Sequence, residues 1–337
     1  MKRVSEYLGA AHTNPRDAYR DVPILKQPTW NHEVAAYFFF GGISAGSAML
    51  GSIAGIAGER HKRLARLAHW VSFVTLLPCP PLLIDDLGMP ERFHHMLRVF
   101  KPASPMNLGS WALLSHGAGA TLLVMKMLSG EDQLLGKLPL VTGLMRALPE
   151  HLLAGLGLPS ALLLAGYSGV LLGTTSVPVW YSSPLLGGLF MSSAFGTGVA
   201  ATSLASTLTG RDTEDESAEL TALGAVAGVT EAALLMGYVA TAGEGRAHLL
   251  RGLPGKLMAG AAACLVASTL IELASLATRK HDKRASALSS ITTLMGGALL
   301  RWAVVKAGKA SAADREGTLR AMSARRGSPG WRTTHAR

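Results

Sequence analysis

Charge is what this chain is short of. Of its 337 residues only 16% are Asp, Glu, Lys or Arg and 49% are hydrophobic, whereas soluble domains carry about 25% charged residues. From Leu152 to Gly210 there is no charged side chain at all. Such a run holds two membrane crossings joined by a polar turn, because about 20 apolar residues span a bilayer. Cysteine is equally scarce. Cys79 and Cys264 lie far apart in apolar surroundings, which argues against a disulfide framework, a cysteine zinc site or an iron-sulphur cluster held by this chain. Strand-like alternation is missing, so a barrel is not expected. The polar N-terminus has no apolar core of the signal-peptide kind, and the first span is expected to direct insertion itself.

What the chain does have is a set of long apolar runs, and they predict an all-α integral membrane protein. Eight transmembrane helices are expected over residues 33–57, 67–84, 108–128, 151–173, 185–208, 218–241, 257–278 and 285–305. A polar arm covers 1–29, the membrane domain 30–306, and a basic tail read as mobile covers 307–337. Pro78, Pro80 and Pro81 remove backbone donors near the end of the second span and should bend or break it there. The connection at 129–150 reads as a short interfacial amphipathic piece. Gly42, Gly46, Gly51 and Gly55 give the first span the small-residue spacing that lets helix backbones approach closely in lipid.

The net charge of +10 sits outside the apolar runs. It reads as topology and lipid headgroup contact, with no role for nucleic acid. Loops after odd-numbered spans carry eleven Lys or Arg against six after even-numbered ones, which places both termini outside the cytoplasm. The basic tail votes the other way.

An ionisable group at bilayer depth costs roughly 2.5 to 3.5 kcal/mol on insertion scales, so it marks function by default. Glu231, in the middle of the sixth span, is therefore a candidate for proton handling, and Glu272 in the seventh either shares that role or snorkels toward Arg279 and Lys280. His116 is read as a hydrogen-bonded interior imidazole, because no second histidine clearly brackets a haem with it. Trp30-Asn31-His32-Glu33 brings an amide, an imidazole and a carboxylate to the mouth of the first span. That set suits a ligand with a polar carbonyl head and an apolar tail, or else simply caps a helix beside an aromatic belt. Tyr167 stands between Gly166 and Gly169, which leave room for a ring against the backbone. No metal site is indicated.

The stretch around which the chain is organised runs from Asp85 to Trp111, DDLGMPERFHHMLRVFKPASPMNLGSW, too rich in polar and aromatic groups for a spacer. Together with WNHEVAAYFFFGGISAG and GYSGVLLGTTSVPVWYSSPLLGGLFMSSAFGTG it resembles the polysulphide reductase membrane subunit family, also called NrfD-like. The resemblance covers all eight spans in order. It implies a haem-free protein of two four-helix bundles in the bacterial inner membrane. Such a subunit exchanges electrons and protons with a quinone (menaquinone or ubiquinone) near its outer face and docks a ferredoxin-like iron-sulphur subunit. A molybdopterin or multihaem cytochrome c catalytic subunit often completes the complex. On this resemblance Asn31 and His32 contact one quinone carbonyl and Tyr167 the other. Asp86 exchanges protons beside them, while Ala103-Ser104-Pro105-Met106 and Trp111 shape the loop that faces the iron-sulphur partner. Asn31 and His32 are adjacent, so on a regular helix they point about 100° apart. Two other classes compete: a secondary transporter or proton channel, suggested by Glu231 and the broken second span, and a haem-b anchor.

Overall fold

A computed structural model describes residues 24–129, 139–210, 213–279 and 282–327, and no strand occurs among them. The long helices are α1 (His32–Ala57), α2 (Lys62–Leu76), α3 (Cys79–Asp85), α4 (Pro105–Leu128), α5 (Glu150–Gly173), α6 (Leu186–Leu208), α7 (Glu214–Thr241), α8 (Gly252–Thr278), α9 (Lys283–Ala313) and α10 (Arg315–Gly327). The expected break in the second span falls at Leu77-Pro78, after which α3 restarts. Pro80 and Pro81 lie in its opening turn, where missing N–H groups cost little.

Helix boundaries follow local chemistry. Ser104 and Thr213 each accept a hydrogen bond from the backbone N–H three residues on, and Asp282 accepts from Arg284 N, which caps α4, α7 and α9. Glu214, Asp215 and Glu216 add negative charge where the α7 dipole is positive. Arg279 ends α8 in the left-handed conformation, at φ 52°.

Among the described residues, seven segments are long and apolar enough to cross a membrane: 32–57, 59–85, 105–128, 152–173, 214–241, 252–278 and 283–313. The fifth expected span forms as α6, 23 residues without a charge and rich in Gly, Ser and Thr. Its position explains its composition. It packs against α1, α2, α5, α7 and α9, so it meets protein on most sides and needs small residues more than greasy ones. At the crossing with α1, any Cβ on Gly46 would strike the Ala194 carbonyl and any on Gly198 would strike the Gly46 backbone. Helix α1 also packs on α2, α5 and α9, while α4 packs on α2 and α5, and α8 packs on α7 and α9.

The last span runs on to Ala313, beyond the border expected at 306, and α10 follows it after Asp314. Asp314 caps α10 through Gly317 N, and His248 bonds the other carboxylate oxygen at 3.0 Å. In the connection after α4, Pro139–Ala147 forms a helix. Residues 130–138 of that stretch, residues 1–23 of the polar arm and residues 328–337 of the tail lie outside the described residues.

Candidate functional site

A cavity of 780 Å³ lies between α1, α2, α3, α4 and α5. Its walls are mostly apolar. Trp30, Tyr37, Asp86, Ser110, Thr121 and Tyr167 carry its polar atoms, and Trp30, Asp86, Ser110 and Tyr167 stand toward the end of the cavity where α1 and α4 begin and α3 ends.

Tyr167 reaches this cavity from α5, and its hydroxyl donates to the Pro105 carbonyl at the first turn of α4. Space for the ring comes from Gly109, because a Cβ there would run into the phenol. Gly166 and Gly169, expected to make that room, instead let α5 approach α6: Gly169 faces the Leu186 carbonyl and the Gly187 backbone. Facing Tyr167, the stretch from Met96 to Trp111 is folded by Asn107, whose side chain accepts from Lys101 N and donates to Met96 O, both at 2.7 Å. Trp111 holds the same loop through Val99 O, and its ring meets Phe100 edge-on at 5.8 Å.

Asp86 follows α3 and lines the cavity with its carboxyl held above the ordinary range. Partial burial is the main cause, and the charges of Glu33 and Asp85 add to it against the pull of Lys309. Glu33 Oε2 is itself buried with no hydrogen-bond partner. Two carboxyls therefore share this corner with one nearby ammonium.

Asn31 and His32 turn elsewhere. Asn31 Oδ1 accepts from Lys309 Nζ at 2.5 Å and His32 Nδ1 accepts from Trp302 Nε1 at 3.0 Å, so both tie the start of α1 to α9. Neither lines the cavity. Trp30 does. It stacks on Trp180 with centroids 5.5 Å apart, and Trp180, fully buried, donates to Val304 O at 2.9 Å.

Glu231 lies in a different place, buried between α7, α6 and α9. Ser193 hydrogen-bonds its carboxylate and accepts from Arg301 Nη1 at 2.8 Å. Arg301, 1% exposed, also donates to Phe38 O and Gly297 O and lies over the Phe190 ring. This guanidinium is the functional candidate that sequence reading missed. Its signal was present, a lone cation inside the apolar run LMGGALLRWAVV, and the rule that singled out Glu231 applies to it equally. Glu272 does not reach toward Arg279. It accepts from Ser289 at 2.9 Å, lies over Gly224, and lines a 20 Å³ hydroxyl-rich cavity between α6, α7, α8 and α9. His116 is a bonded interior imidazole, with Nε2 2.9 Å from Ser44 Oγ.

Fold and cavity together define a multi-pass, all-helical membrane protein with one deep apolar pocket ending in a polar corner. Compared with known proteins, residues 23–313 match the polysulphide reductase NrfD family. The chain belongs to that family. A selenate reductase subunit of Mesobacillus selenatarsenatis is 31% identical over 86 residues, a match that spans 25% of this chain and 20% of the relative's own length.

Proposed function

We propose that this chain is the quinone-reactive membrane subunit of a multi-subunit respiratory oxidoreductase, exchanging electrons between a membrane quinone pool and an iron-sulphur partner. The observation that carries the reading is the 780 Å³ apolar cavity with Trp30, Asp86 and Tyr167 at one end. A flat ring with oxygen at both ends and a greasy substituent matches that division of chemistry. Membership of the NrfD family and a relative named as a reductase subunit favour work inside a complex. On this reading α6 is also a crossing, giving eight in two four-helix bundles, with the cavity end and both termini outside the cytoplasm.

A bound quinol supplies two electrons and two protons. Tyr167 has committed its own proton to Pro105, which leaves its oxygen to accept from a substrate hydroxyl. Asp86, protonated more readily than an ordinary carboxylate, takes up a proton at the corner it shares with Glu33 and returns it to water at the rim. Glu231, Ser193 and Arg301 extend proton handling into the second half of the chain. Met89, Val99 and Phe100 are exposed on the loop outside the cavity and offer the ferredoxin-like partner an apolar footing. A molybdopterin or multihaem protein would complete the electron path.

Quinol oxidation by the intact complex tests this reading. Tyr167→Phe should lower turnover about tenfold, near 1.4 kcal/mol in the barrier, while leaving assembly unchanged. An unaltered rate removes Tyr167 from the site. A quinone-site inhibitor located at the opposite membrane face, or a chain that never co-purifies with an iron-sulphur protein, overturns the reading altogether.

A further inference from the structure

The two interior carboxyls of the second half are not treated alike. Glu231 shares Ser193 with the Arg301 guanidinium, whereas Glu272 accepts from Ser289 and has no ion-pair partner among the described residues. A carboxylate inside a membrane span either meets a cation or gives up its charge. Glu272 stands six residues before the end of α8 at Thr278, roughly 9 Å inside that end at about 1.5 Å per residue.

The 20 Å³ cavity that Glu272 lines has room for one occupant the size of a water molecule. Oxygen dominates its wall. Thr221 and Ser275 have given their protons to the Ser217 and Ile271 carbonyls of their own helices, at 2.7 and 2.9 Å, so each keeps only lone pairs to offer. Ser203 and Ser286 share one hydrogen bond at 3.1 Å. Ser290 is an independent sign of a ligand. It is 4% exposed and lines the cavity, yet its hydroxyl has no hydrogen-bond partner among the described residues. A buried hydroxyl left in that state is costly unless something in the cavity meets it. Where α8 ends and α9 begins, Asp282 adds an exposed carboxylate to the lining.

We propose that this cavity is a sodium site, in which one dehydrated Na⁺ is held by the Glu272 carboxylate and the hydroxyl oxygens of Thr221, Ser275 and Ser290 and is admitted past Asp282. The ion supplies the positive charge that Glu272 lacks, as Arg301 does for Glu231. One inward carboxylate matches one unit of charge, whereas calcium takes about six to eight oxygens and is tuned by the number of charged ligands. Protein oxygens replace the hydration shell that a bare ion gives up. Four packed helices hold the cavity at a size that favours a small ion over a larger one. The site lies apart from the α1–α5 cavity and does not depend on what binds there.

Thermal unfolding of the full-length chain in detergent tests the site, with sodium, potassium or choline chloride at equal ionic strength and fixed pH. Sodium at about a hundred times its Kd should raise Tm by about 5 °C, and potassium should need a concentration at least about tenfold higher. Choline should have no effect. Glu272→Gln should abolish the sodium response. Ser290→Ala removes one oxygen from the cavity with little change in volume and should raise the sodium concentration required about tenfold, so it carries the test if the glutamine variant fails to fold. A response that potassium or choline matches overturns the assignment. So does a native chain whose Tm answers to pH and not to sodium, because a proton then neutralises Glu272. A sodium response that the folded variants keep in full places the ion elsewhere and refutes the site.

Discussion

The two halves of the molecule treat polar groups in opposite ways. Between α1 and α5 a partly buried Asp86 stands at the polar end of an open cavity beside Glu33, whose Oε2 is buried without a hydrogen-bond partner. Between α6 and α9 the charged side chains are turned inward and bonded: Arg301 to Ser193, Phe38 and Gly297, and Glu272 to Ser289. Both halves face the same cost of placing charge in hydrocarbon. The first meets it by leaving Asp86 only partly buried, where it can change protonation state. The second meets it by pairing, which fixes geometry and makes each member costly to remove. Substitutions should accordingly disturb turnover in the first half and folding in the second.

The largest effect should come from breaking the inner network. Arg301→Leu strands Glu231 and should cost about 3 to 5 kcal/mol, read as lost folded yield and a lower Tm in detergent. Adding Glu231→Gln removes the stranded charge and should restore much of that loss. A single variant as stable as the native protein would erase the distinction between the halves. At Asp86 the effect is smaller and depends on pH. Its folded carboxyl keeps a proton that the unfolded chain has already released, so stability falls as pH climbs from about 3.9 through the raised folded value. Asp86→Asn should flatten that fall and the matching limb of the turnover profile, and parallel curves for the two proteins would count against it. Smallest of all should be Arg60→Ala. Arg60 pairs with Asp215 at 2.9 Å, but both are well exposed, and such pairs contribute about 0 to 1 kcal/mol. A larger shift in Tm would show that the exposed contacts of α7 matter as much as its interior.

Much of this could be read along the chain. The apolar runs, the proline break after Leu76 and the interior place of Glu231 and His116 all follow from local composition, because lipid demands apolar length and internal hydrogen bonds whatever the neighbours. Legibility ended wherever a second helix had to be specified. Gly166 and Gly169 flank Tyr167 in sequence but face α6, and the glycine beneath its ring is Gly109, from another span. Asn31 and His32 were grouped with the ligand because they sit at a helix mouth, yet α9 claims both. For Glu272 one of two expectations points along its own helix to Arg279, whereas its partner Ser289 comes from the next. The expected span α6, charge-free and rich in small residues, packs against five other helices.

The order of residues alone therefore determined that the chain lives in a membrane as a series of helices, and at what depth each polar group stands, because depth is simply position along an apolar run. Which polar groups meet was decided by tertiary structure. A helix turns 100° per residue, so the crossing of α1 with α6 at Gly46 and Gly198 fixes which faces look into the cavity and which look away. Bonds to α9, and no local spacing, turn Asn31 and His32 away from the cavity that Trp30 and Asp86 line.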